Sequence, residues 1–180
     1  MMAGLAAATM ASTAWAQVET EIPVCSAPFD RLLGDEVFNA QPVPPPPTAI
    51  RPAAPIVKHG RAHLYRTLLR EDAKQAPNFA GHYTLIRIGC GAATVCPAIM
   101  DAETGQVFFP PELNSAEALL MDTGDVDLET LNYRLDSRVL VVAGTANENL
   151  GQAGFYYYAW RDNRLTLFRF LPAAEVCGRG

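Results

Sequence analysis

Gly154-Phe-Tyr-Tyr-Tyr-Ala-Trp160 decides the fold class. Alternation places Phe155 and Tyr157 on one face, and Tyr156, Tyr158 and Trp160 on the other. Aromatic residues suit a pleated surface, so the run reads as a strand. Being apolar on both faces, it is either covered on both sides, by a helix and a proline-rich strap, or leaves one face as an exposed platform. Upstream, Arg138-Val-Leu-Val-Val-Ala143 is a second strand ending at Gly144, with a polar loop through Gly151. Thr130 to Leu135 precedes it across a tight turn at Asp136-Ser137. Downstream, Arg161-Asp162-Asn163 turns the chain into Leu165 to Phe170.

The preceding stretch has the same plan. Tyr83 to Ile88 is a strand ending at Gly89, and Val95 to Asp101 is the next. A polar turn through Gly105 leads into Gln106 to Phe109, where Pro110-Pro111 stops the hairpin. Ser115 to Met121 reads as a short capped helix, followed by an acidic loop from Asp122 to Asp127. Each half runs strand, glycine, loop, strand, polar turn, strand. The expected fold is mainly β: an antiparallel meander, as one curved sheet or two packed sheets, partly propeller-like. One amphipathic helix packs on it, over Arg61 to Ala76, with Leu64, Leu68, Leu69 and Ala73 as its apolar stripe.

Residues 1–16 carry no charge and end in Ala14-Trp15-Ala16, the small-x-small form of a signal-peptidase site. The mature chain is therefore expected to start at Gln17. Residues 17–58 form an N-terminal segment, and 59–180 the α+β, mainly β domain. Seven of the fifteen residues from Gln41 to Pro55 are proline, which excludes helix and central strand. This stretch is read as a strap across the domain, in preference to a tether. Sixteen residues make too short an apolar helix for a stable membrane span.

Four cysteines, Cys25, Cys90, Cys96 and Cys177, suit an oxidising compartment, periplasmic or secreted. Of three pairings, Cys90–Cys96 with Cys25–Cys177 is preferred, since the first two are close and the others bracket the domain. A net charge of −5 with no basic run makes nucleic acid and an anionic membrane surface poor partners.

Asn78-Phe-Ala-Gly-His82-Tyr, then Ile88-Gly-Cys-Gly91, a second cysteine, and Asp101-x-x-Thr-Gly105-x-Val107 resemble a group of small secreted bacterial proteins of unassigned function. Tyr133-Arg-Leu-Asp-Ser-Arg138 and the aromatic strand are similar to the same group. The likeness covers roughly residues 60–170. It departs in the five residues between Cys90 and Cys96, wider than the group's spacing.

A catalytic reading starts from Cys90, which needs a thiolate and a histidine. His82 is eight residues away along one strand, about 26 Å, out of direct reach. His59 is the other candidate. His59-Gly60 with Gly89-Cys90-Gly91 resembles cell-wall L,D-transpeptidases, but the serine, histidine and arginine expected around that nucleophile are absent. His59 and His63, at i and i+4, have the spacing of zinc ligands on a helix, although two solvated histidines at a helix start explain them as well. Asp122, Asp125, Asp127 and Glu129 lack EF-hand spacing and read as a solvated loop. No metal and no cofactor is expected.

Two surfaces are candidates for binding. Tyr156, Tyr158 and Trp160, with Arg161 nearby, would suit a protein hot spot or sugar stacking if exposed. Gly89 to Thr94, with Gly91 and Thr94 central, is small and backbone-rich, and a constrained loop of this kind can enter a partner's cleft. The sequence thus predicts an exported, non-catalytic binding domain for an envelope protein or glycan, such as an inhibitor or immunity protein for a cell-wall enzyme. The alternative is a cysteine-dependent envelope enzyme using Cys90 with a histidine.

Overall fold

The computed structural model describes residues 24–44, 51–119, 121–124, 126–149 and 152–178. The proposed leader and the middle of the proline-rich stretch lie outside the described residues. Among the described residues, eight strands form one open antiparallel sheet: β1 Tyr83–Gly91, β2 Thr94–Asp101, β3 Val107–Phe108, β4 Ala116–Ala118, β5 Leu131–Tyr133, β6 Val139–Ala146, β7 Gly154–Arg161 and β8 Arg164–Pro172. The order is β1-β2-β4-β6-β7-β8, with β3 also on β2 and β5 also on β6.

The sheet folds over at β4. This strand pairs Thr94 and Val95 on one side and Gly144 to Ala146 on the other. Beyond it the two long strands part, β2 taking β3 at Ile99 and Met100, and β6 taking β5 from Leu140 to Val142. The two halves then face each other across a shared core. Leu85 and Ile99 pack there with Leu140, Val142, Tyr156, Tyr158 and Trp160. The rings of Tyr83 and Phe108 meet Trp160 edge-on at 5.5 and 5.7 Å. A fully buried large apolar side chain is worth about 1.5–3 kcal/mol, against about 1 kcal/mol net for a hydrogen bond. Packing, more than the short β4 ladder, therefore holds the halves together. The result is one curved sheet whose halves pack, and the propeller likeness goes no further than the strand pattern.

The outer face of β1 and β2, carrying Ile86, Ile88, Ala98 and Met100, is covered by Val57 and by Leu69 and Ala73. The expected long helix is two short ones, α3 Gly60–Leu64 and α4 Arg66–Asp72, broken at Tyr65. The break turns Leu64 to solvent at 69% exposure, so it drops out of the predicted stripe. The outer face of β6 and β7, with Val139, Val141, Phe155 and Tyr157, is covered by an N-terminal layer. That layer contains α1 Phe29–Leu32 and α2 Asp35–Asn39, and buries Leu32 and Phe38. The last helix, α5 Ala173–Val176, closes beside it. Residues 24–44 are thus part of the packed body.

Both described ends of the proline-rich stretch are pinned. Val43 N–H donates to the Asp136 carbonyl at 2.8 Å, and Arg138 N–H to Gln41 at 2.9 Å. At the far end, Ala53 and Ile56 donate to the carbonyls of Ala102 and Gly105, each at 2.8 Å. Gly105 (φ +76°) is required there, because a Cβ would stand 2.1 Å from the Ala54 oxygen.

The helix expected at Ser115 to Met121 is replaced by β4, a three-residue strand with ladder partners on both sides. The β7–β8 turn sets Asp162 and Asn163 at φ +50° and +59°, the two left-handed residues that a tight hairpin requires.

Candidate functional site

Strand β1 does not stop at Gly89 but continues to Gly91, and only Ala92 and Ala93 separate it from β2. Ile88 pairs with Cys96, Gly89 with Val95 and Gly91 with Thr94, which leaves Cys90 as the unpaired residue of a bulge. Cys90 is bonded to Cys96 across the hairpin, their Cα atoms 5.9 Å apart. The tip from Gly89 to Ala93 is exposed at every residue. It is held by the Thr94 hydroxyl donating to the Ala92 carbonyl at 3.1 Å, and by Ala118 N–H donating to Ala93 at 3.3 Å. Ala93 sits at φ +56°, a region where glycine is the usual occupant. The tip is therefore a stapled finger of small side chains and accessible backbone, with no charge.

Cys25 and Cys177 form the second bridge, so both predicted pairs are present and no cysteine is free. A bridged sulfur offers no thiolate, which leaves Cys90 without nucleophilic character. His82 lies at the opposite end of β1, before Tyr83. His59 precedes α3 in an extended conformation (φ −151°, ψ 172°), so it does not share a helix face with His63. The His63 Nδ1 lies 3.2 Å from the Val57 carbonyl oxygen.

The aromatic strand is corrected as a surface. Tyr156, Tyr158 and Trp160 are 6%, 4% and 1% exposed, because the other half of the sheet covers them. Among the described residues, neither the helices over 60–72 nor the proline-rich stretch covers a face of this strand. Arg161 is exposed and hydrogen-bonds Gln41, tying β7 to the N-terminal layer. Burial pushes the phenols of Tyr156, Tyr157 and Tyr158 up, and Tyr158, also facing Tyr156, reaches about 12.

Among the described residues, the histidine–carboxylate group that gathers is His82, Asp101 and Glu103, whose ligand atoms lie within 4.8 Å of one another. One Asp101 oxygen already accepts from the N–H groups of Glu103 and Thr104, at 2.8 and 3.2 Å. That carboxylate has a turn-forming role of its own. In the acidic loop, Glu129 pairs with Arg87 and Asp122 accepts from Gly124 N–H, while Asp125 lies outside the described residues.

A basic groove was not anticipated. The end of the proline-rich stretch and the residues after it, Arg51 to Lys58, run beside α4, and two cavities of about 570 and 590 Å³ between them share Pro55 and Arg70. Arg51 and Lys74 line the first, Lys58, His63 and Arg66 the second, and all of these side chains are exposed. Residues 51–74 carry six Lys and Arg against two acids, in a chain of net charge −5. The signal in the sequence is Arg66, Arg70 and Lys74 at i, i+4 and i+8, one stripe of a helix. The other half of the groove comes from a separate element, so the stripe alone does not show it.

No protein-family model, no curated protein and no solved structure matches the chain.

Proposed function

We propose that this chain is an exported, non-catalytic binding domain that presents the β1–β2 hairpin tip to a protein of the cell envelope, as an inhibitor or immunity protein for a cell-wall enzyme. The observation that carries the reading is the exposed run Gly89 to Ala93, fixed by the Cys90–Cys96 bridge. A short finger whose backbone is already held loses little conformational entropy on entering a cleft. Its small side chains let a partner reach the backbone N–H and C=O groups. Four cysteines consumed in two bridges fit an oxidising compartment. Among the described residues no helix is long and apolar enough to cross a membrane. The leader reading places the protein in the periplasm or outside the cell.

The test is the release of peptidoglycan fragments by an envelope enzyme extract, with and without purified protein. The wild type is expected to slow release, and Ala92→Arg to weaken that effect at least about tenfold. Glu175→Arg, exposed on α5, is the control and should act like wild type. Inhibition by Ala92→Arg equal to that of wild type would reject the tip as the contact.

A further inference from the structure

The groove between the strap and α4 is a second surface, and its chemistry is opposite to that of the uncharged hairpin tip. Arg66, Arg70 and Lys74 recur every fourth residue along or just past α4, so their Cα atoms advance about 6 Å per step. Arg51 and Lys58 stand on the other wall, at the two ends of the segment 51–58. Among the described residues Arg51, Lys58 and Arg70 take part in no ion pair. Lys74 pairs with Glu71 at 2.6 Å, and Arg66 donates to the His63 carbonyl at 3.1 Å, a bond that leaves its charge uncompensated.

Like charges lining one trough repel each other, and a soluble counter-ion relieves this only in part. The rest of the surface is net acidic, so the field is focused here. A single phosphate would engage one or two of these cations. Two adjoining cavities that share Pro55 and Arg70 match a ligand with repeated charges.

We infer that the groove binds a linear polymer carrying one phosphate or carboxylate group per repeat, as anionic cell-surface glycans and polyol phosphates do. The choice of a surface polymer over other polyanions rests on the exported reading; the groove itself does not. Guanidinium groups at Arg51, Arg66 and Arg70 each form paired hydrogen bonds to an oxyanion, and the ammonium groups of Lys58 and Lys74 act as point charges along the chain.

The experiment measures binding of purified full-length protein to poly(glycerol phosphate) and to polygalacturonate, with dextran as neutral control, from low to physiological salt. Saturable binding to either anionic polymer is expected, with none to dextran and a loss of about tenfold or more between 50 and 200 mM salt. Arg66→Gln with Arg70→Gln is expected to lower affinity by about tenfold or more and to flatten the salt dependence. Both side chains are exposed, so the variant is expected to melt with wild type. Arg164→Gln with Arg169→Gln, on β8, is the matched control and should bind as wild type. Equal binding by the groove variant and wild type would overturn the proposal, as would saturation by orthophosphate at the same concentration. Single-stranded DNA or phosphatidylglycerol vesicles binding more tightly than both polymers would overturn the assignment to a surface glycan. Tip and groove fail separately, because Ala92→Arg should leave polymer binding unchanged.

Discussion

A methyl group on Gly144 would stand 1.8 Å from the Glu117 carbonyl oxygen, and the residue's φ of +146° is itself one that other side chains rarely adopt. Here β4 pairs with β6, Ala118 opposite Gly144, so the residue sets how closely the two strands can approach. Gly144→Ala is expected to cost about 2–4 kcal/mol, through strain and a displaced β4. Gly89→Ala, where an added Cβ meets nothing within 4 Å, should stay within about 0.5 kcal/mol. Urea denaturation of the two variants checks the pair, and equal midpoints would contradict the close approach. A sequence shows that position 144 is glycine but not why. The reason is a carbonyl twenty-seven residues upstream, brought there by the fold.

At the scale of elements, β7 is the strand on which the halves of the sheet depend. Its tyrosines titrate late because burial disfavours the phenolate, and Tyr158 moves from 10.0 to about 12. Unfolded tyrosine loses its proton near pH 10, so the stabilising effect of these neutral phenols is full below that pH. It is lost as pH rises from about 10 towards 12, where the unfolded chain ionises first. Alkaline titration should therefore show phenolate absorbance appearing together with loss of near-ultraviolet dichroism above pH 10. Ionisation of Tyr156, Tyr157 and Tyr158 near pH 10 with the fold intact would contradict their burial. The long strands were legible because period-two alternation and turn residues agree from Tyr83 to Ile88 and from Phe155 to Phe170. Strand β4 was not, because Ser-Ala-Glu-Ala-Leu-Leu-Met favours a helix locally and only its pairing with β2 and β6 overrides that. For the same reason the aromatic platform was misplaced: alternation shows that Tyr156, Tyr158 and Trp160 share a face, not that the sheet folds over it. The hairpin tip was legible as small residues between two cysteines, whereas the basic groove needed two elements to meet.

Across the whole molecule, the two bridges act over very different lengths. Cys25–Cys177 spans a sequence separation of 152 and ties the N-terminal layer to the C-terminus, while Cys90–Cys96 spans 6 and fixes one hairpin. Loop-closure entropy gives about 5 kcal/mol for the first and about 2 kcal/mol for the second. The paired serine variant at 25 and 177 should therefore unfold at markedly lower urea than the pair at 90 and 96. The second pair should keep most stability and lose its action on a partner. An inverted order of midpoints would contradict the roles given to the two bridges. Mass-spectrometric mapping of native protein, alkylated before any reduction, tests most directly whether its sulfur builds surfaces and does no chemistry. Peptides linking 25 to 177 and 90 to 96 are predicted, with no alkylated cysteine, whereas alkylation at Cys90 would contradict the account.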